Sequence, residues 1–271
     1  MLILIKKMRS NLSYLLLVLL FFSCNDKNQD AFIVTKYDGF GNIIEETSYK
    51  GDSILHGPQK LYYKNGNLKK TIDYNNGKIT GNLTRYYWDG KLQRIESFYK
   101  NGLNGYSTSY YPNSQIRSKC YYLWDRQFGN SYFYYPNGTL ETFCSFDFDE
   151  FCRYIIKYDN NGKKIKEEGT ALGQFHLEGD FDSILVNKQY ESMISVNTPP
   201  NTKTEVFIGE LVNNKLQNVS KLSILFNCAE YKFSFNDTGK HTFLIIGEIR
   251  DHQGKILIKD SIESNFIVRN E

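Results

Sequence analysis

The sequence predicts a mostly β protein, an extended single-layer sheet of repeated antiparallel β-hairpins followed by a β-sandwich. Three observations carry this. Aromatic residues are abundant and skewed, 21 Tyr and 19 Phe against 2 Trp, and Tyr, Phe, Ile and Thr favour the pleated, half-buried surface of a strand. Asn-Gly and Asp-Gly pairs return at a fixed interval, and such pairs connect antiparallel strands tightly. No long helical period runs through the chain after its first residues.

The chain opens with an address. Lys6, Lys7 and Arg9 precede an apolar run from Tyr14 to Phe22, then Ser23-Cys24. Nine apolar residues suit a signal-peptide core and are too few to span a bilayer, which needs roughly 20. A cysteine after a small residue at the end of such a run resembles the lipobox of bacterial lipoproteins. That resemblance implies cleavage before Cys24, lipidation of its thiol, and a membrane-anchored place in the cell envelope, on its periplasmic or surface side. Residues 1–23 are therefore expected to be a lipoprotein signal peptide and 24–34 a tether made polar by "NDKNQD" after Cys24. The whole chain has 33 basic and 30 acidic side chains, and three of the basic ones leave with the signal. The balance that remains gives no electrostatic reason to expect nucleic acid, whose affinity comes from neutralising phosphates.

Residues 35–169 repeat. Gly57, Gly81, Gly105 and Gly129 are 24 residues apart, as are Tyr62, Tyr86, Tyr110, Tyr134 and Tyr158. A second aromatic column runs Tyr74, Phe98, Tyr122, Phe146, and an aliphatic one Leu68, Leu92, Ile116, Leu140. The turn pairs are Asn65-Gly66, Asp89-Gly90, Asn113-Ser114, Asn137-Gly138 and Asn161-Gly162. Each copy reads as one hairpin closed by a type I′ turn with two positive-φ residues. A lone hairpin is marginal in water, so each must pair its open edge with the next. Because the period is even, each column keeps to one face. The step from Tyr37 to Tyr62 is 25 residues, which predicts a bulge or irregular loop near "GDSILHG".

The pattern "YYxNGxL…YxNGxxxG" resembles the variant form of the MORN repeat, found in the YwqK-type bacterial antitoxin family. What the resemblance implies is a hairpin sheet used as a protein-binding scaffold, in some members with an antitoxin role against a toxin. The tyrosine column Tyr62, Tyr86, Tyr110, Tyr134, Tyr158 then has two readings. It covers the sheet and stabilises cross-strand pairs, or it forms a binding strip, since Tyr is enriched at interfaces. Cell-wall or glycan binding is the alternative function. Trp88 and Trp124 fall in different columns, so no repeated tryptophan cage can form.

Residues 170–180 read as a linker. From 181 to 271 short alternating strands are separated by "NTPPN", "VNNK", "NDTGK" and "DHQGK", as in a β-sandwich. The run "YKFSFNDTGKHTFLIIGEIRDHQGK" is similar to the closing strands of Ig-like bacterial domains, which implies a spacer or adhesion module.

Catalytic chemistry is not expected, nor a metal or cofactor. His56, His176, His241 and His252 have no metal-ligand spacing, and no nucleophile elbow or phosphate loop is present. "FDFDEF", with Asp147, Asp149 and Glu150, lacks the glycine and ligand count of a calcium loop and reads as an acidic hairpin tip. Cys120 and Cys144 share a column, and two strand spacings of about 9.5 Å separate such positions, too far for a disulfide. Cys144 and Cys152 flank a turn centred on Phe148, so they are the pair expected to bond in an oxidising envelope.

Overall fold

The computed structural model describes residues 16–19, 31–177, 184–225 and 227–270, among which every regular element is a strand. Cys24 lies outside the described residues. The chain divides into two compact units, one ending at Asp125 and one beginning at Arg126.

The first unit is a sheet of consecutive antiparallel strands: β1 (Leu16–Leu19), β2 (Ala31–Tyr37), β3 (Ile43–Lys50), β4 (Ile54–Tyr62), β5 (Leu68–Asn75), β6 (Lys78–Tyr86), β7 (Leu92–Tyr99), β8 (Gly102–Tyr110) and β9 (Ile116–Leu123). Each strand pairs with the next in sequence. The strand β2 begins at Ala31, so the repeats start inside the segment read as a tether. Its partner β1 falls within the run read as the signal core and adds a short strand in the uncleaved chain.

The turn chemistry departs from expectation. Of each pair only the second residue is left-handed, Gly66 at 83°, Gly90 at 85°, Ser114 at 69°, Gly138 at 85° and Gly162 at 84°. The amide of Gly66 donates to the Tyr63 carbonyl and that of Tyr63 to the Asn67 carbonyl, which is a type I turn followed by a one-residue bulge. The first residue is held in the right-handed region by its own side chain. The Oδ1 atoms of Asn65, Asp89, Asn113 and Asn137 accept the amides of Asn67, Lys91, Gln115 and Thr139 at 3.0–3.1 Å, the local competition that makes Asn and Asp turn residues. The type I′ turns are at the opposite ends of the strands, where Asn76-Gly77, Lys100-Asn101 and Trp124-Asp125 have both residues at positive φ.

Bulging is also general. Register shifts occur opposite the glycine column in three successive copies, between Thr47 and Tyr49, Ile72 and Tyr74, and Glu96 and Phe98. Gly57, Gly81 and Gly105 have φ of 90°, 88° and 119°, and a Cβ on Gly105 would stand 3.0 Å from that of Ser97. Only glycine bends the strand there. The extra residue of the 25-residue step is absorbed in the loop Gly51-Asp52-Ser53, where the later copies have two residues.

The second unit begins with β10 (Arg126–Gln127), β11 (Gly129–Tyr134), β12 (Leu140–Phe146), β13 (Cys152–Tyr158) and β14 (Lys164–Gly169), the last four continuing the hairpin pattern. The segment read as a linker contributes β15 (Leu172–Leu177), because Leu172 fills the following core and Asp260 receives the amides of Ala171 and Leu172 at 2.8 and 3.4 Å. There follow β16 (Ile184–Leu185), β17 (Tyr190–Val196), β18 (Lys203–Val212), β19 (Lys215–Leu222), β20 (Ile224–Leu225), β21 (Cys228–Phe233), β22 (Gly239–Arg250) and β23 (Ile256–Arg269). Sheet β15-β17-β21-β20 and sheet β16-β23-β22-β18-β19 enclose one core that includes Ile194, Val206, Ile208, Ala229, Ile245 and Phe243.

Candidate binding faces of the repeat sheet

Strand pairing sorts the repeat columns into two faces. One carries the directly opposed row Thr47, Gln59, Ile72, Leu83, Glu96, Ser107, Cys120, most of it buried. The other carries Lys60, Thr71, Thr84, Ile95, Thr108 and Lys119, again directly opposed. Alternation along each strand puts Tyr62, Tyr86 and Tyr110 on this second face.

In the first unit these three rings are half-buried. The Tyr62 hydroxyl donates to Glu46 Oε2 at 2.5 Å, and burial, then this carboxylate, push its pKa up to about 12. At the same columns in the second unit the face changes character. Thr108 and Lys119 are replaced, one period later, by Tyr132 and Phe143, and Ile156 follows. Phe143, Tyr154 and Ile156 form a buried cluster with Ala171 and Ile249, against which Tyr132, Leu140, Tyr158 and Ile258 pack. Tyr158 is thus committed to the unit's own interior, and burial raises the pKa of both Tyr134 and Tyr158. All five tyrosines of the column are half-buried, and of them Tyr158 packs against this cluster.

The neighbouring tyrosines do a different job, one that the column reading missed. The hydroxyls of Tyr63, Tyr87 and Tyr135 donate to the carbonyls of Tyr86, Tyr110 and Tyr158, at 2.8, 2.7 and 3.0 Å. Asn65 and Asn137 send their amides to the carbonyls of Trp88 and Asn160. At the other end of the strands Asn101 and Asp125 accept the amides of Ile79 and Leu103, both at 2.7 Å, and return their own amides to the same residues' carbonyls. Copies of the first unit are thereby clamped to one another at both edges. The doubled "YY" and the "WD" that replaces a turn glycine were the visible signals.

Cys144 and Cys152 are bonded, with Cα atoms 5.8 Å apart. Between them Asp147 is almost wholly buried, its Oδ1 accepting the amides of Asp149 and Phe151 at 3.0 Å and its Oδ2 facing Arg153. Its oxygens are used in holding the turn. Of the histidines, His56 and His176 lie in β4 and β15 and His252 in the turn after β22, while His241 Nδ1 meets Glu210 Oε1 at 2.8 Å. In the sandwich a cavity of about 620 Å³ is lined by Asn187, Asn218, Glu210, Tyr231 and Phe243 among others.

Residues 55–76 and 103–123 match the family model described as the MORN repeat variant. The two stretches fall on β4–β5 and β8–β9, with one copy, β6–β7, between them. No curated protein matches the chain.

Proposed function

We propose that the protein is a lipid-anchored component of the cell envelope whose repeat unit is a non-catalytic scaffold for a protein partner, in the manner of an antitoxin or immunity protein. Repeats of the MORN variant kind are protein- and membrane-binding scaffolds, and the match covers two hairpins of the first unit. The basic, then apolar, opening that ends in Ser23-Cys24 supports the anchor.

The observation that carries the reading is the contrast between the two units at corresponding repeat columns. Where Tyr132, Phe143 and Ile156 occupy the columns, the face is closed by the same unit's Ala171 and Ile249. Where Thr84, Ile95 and Thr108 occupy them, three half-buried tyrosines stand among threonines and one isoleucine. Rigid aromatic anchors with adaptable polar neighbours are the composition of an interface.

The test is capture by the full chain from envelope membranes, comparing wild type with Tyr62→Ser/Tyr86→Ser/Tyr110→Ser. A defined protein held by wild type and lost by the triple variant is the expected result. Retention by both removes the strip from the interface. The cavity beside Tyr231, Asn187 and Asn218 favours a wall glycan as the second reading, and recovery of glycan without protein would select it.

A further inference from the structure

The face opposite the tyrosine strip contains a row that is badly matched for stability. Lys70 on β5 lies directly opposite Arg85 on β6, and Arg85 directly opposite Arg94 on β7. Like charges in directly opposed positions destabilise a sheet. The only ion pairs these three make among the described residues are with Glu96, at 3.2 Å from Arg85 Nε and 3.5 Å from Arg94 Nη1. Lys70 has no carboxylate partner there, and burial, then the charge of Arg85, lower its pKa. The row continues into Ser109 and Ser118, whose hydroxyls are 2.6 Å apart. Arg117, on the same strand as Ser118, stacks over Tyr111. With Arg85, Arg94, Ser109, Tyr87, Gln93 and Tyr110, Arg117 lines a cavity of about 240 Å³. Arg85 and Arg94 thus share one carboxylate beside a recess that Arg117 also lines and whose other walls carry hydrogen-bonding groups.

We infer that this row is a docking track for an acidic, extended protein segment, whose carboxylates replace the counter-charges that the sheet itself does not supply. The inference rests on the scaffold reading and specifies the partner's chemistry at a second face of the same unit. The cations are strung out over β5, β6, β7 and β9 instead of converging on a point. From β5 to β9 four strand spacings span about 19 Å, the length of roughly six extended residues at about 3.3 Å each. Carboxylates on alternate residues of such a segment stand about 6.6 Å apart on one side, within reach of guanidiniums that take a carboxylate by two parallel hydrogen bonds. A linear phosphate chain would meet the same row, but the chain as a whole, with 33 basic and 30 acidic side chains, offers no wider positive field to hold a nucleic acid.

The experiment uses the full chain and a fluorescent twelve-residue peptide of alternating Glu and Ser, with its Gln-for-Glu counterpart, a single-stranded oligonucleotide and vesicles containing an anionic lipid as the other probes. Expected are salt-sensitive binding of the Glu peptide, none of the Gln peptide, and a loss of affinity of at least tenfold in Arg94→Gln/Arg117→Gln. The same variant should be no less stable than wild type, since it relieves repulsion, which a merely structural role for these arginines does not predict. Binding unaffected by the double substitution, no binding of the Glu peptide, or stronger binding of the oligonucleotide or the vesicles would each overturn the inference. If partner capture through Tyr62, Tyr86 and Tyr110 persists in those cases, the scaffold reading stands without the acidic track.

Discussion

Replacing Tyr87 by Phe removes one hydroxyl and leaves the ring in place. That hydroxyl donates to the Tyr110 carbonyl at 2.7 Å from a half-buried position, and it joins one copy to the next. A hydrogen bond of this kind contributes a net 0.5–1.5 kcal/mol. Water can reach part of the site, so the deserted carbonyl is partly rehydrated and a loss of about 1 kcal/mol is expected. For a unit of this size that lowers Tm by roughly 4–6 °C. Tyr63 bonds a different acceptor, the Tyr86 carbonyl, so Tyr63→Phe/Tyr87→Phe should lose about 2 kcal/mol by near-additivity. Both tryptophans, Trp88 and Trp124, lie in the first unit, so urea unfolding followed by tryptophan fluorescence reports that unit alone. The control is Tyr106→Phe, whose ring is 48% exposed and which should change stability by less than about 0.5 kcal/mol. If Tyr87→Phe unfolds at the same urea concentration as Tyr106→Phe, the copies are not held together by the clamps.

Three further outcomes follow from particular residues. Gly105→Ala should cost about 2–3 kcal/mol, because φ is 119° and the new Cβ meets Ser97 at 3.0 Å; Gly39→Ala, with nothing within 4 Å, should stay within about 0.5 kcal/mol by the same fluorescence assay. Ser114→Gly should stabilise the unit by about 1 kcal/mol, since Ser114 sits at φ 69° where the other copies have glycine; a loss would show that the serine side chain matters more than its backbone. Asp260 is an acid whose pKa burial raises above 3.8, against the opposing amides of Leu172 and Ala171. It binds its proton more tightly folded than unfolded, so stability falls as pH rises between its unfolded and folded values and stays reduced above both. Stability of the second unit relative to Asp260→Asn should therefore rise as pH is lowered toward 3.8, read from urea midpoints across acid pH; an unchanged difference would contradict the burial.

The repeat was legible because hairpins are local: a period of 24 residues and paired turn residues are enough to order the strands. Turn type was less legible. Asn65-Gly66 and Asp89-Gly90 suggest type I′ by composition, but their side chains cap the amide two residues on and leave only the glycine left-handed. The real type I′ turns include Lys100-Asn101, which has no glycine, because Asn101 is held from outside by Ile79. The clamps were half visible, as doubled tyrosines, and their acceptors are carbonyls that no side-chain pattern announces. The closing of the second unit's face was written in the columns as well. The change from Thr108 and Lys119 to Tyr132 and Phe143 marks where packing begins, but the residues that cover them, Ala171 and Ile249, are far away in sequence. The basic row Lys70, Arg85, Arg94 could be found only once register was known.

The most direct measurement of the central claim is photo-crosslinking from single positions on the tyrosine-bearing face, in the full chain within its own envelope membranes. A photoreactive residue at Thr84 or Thr108 should yield one defined protein adduct, and one at Tyr132, whose ring packs against the second unit's own cluster, should yield none. Adducts from Tyr132 alone, or glycan in place of protein at Thr84 and Thr108, would contradict the account.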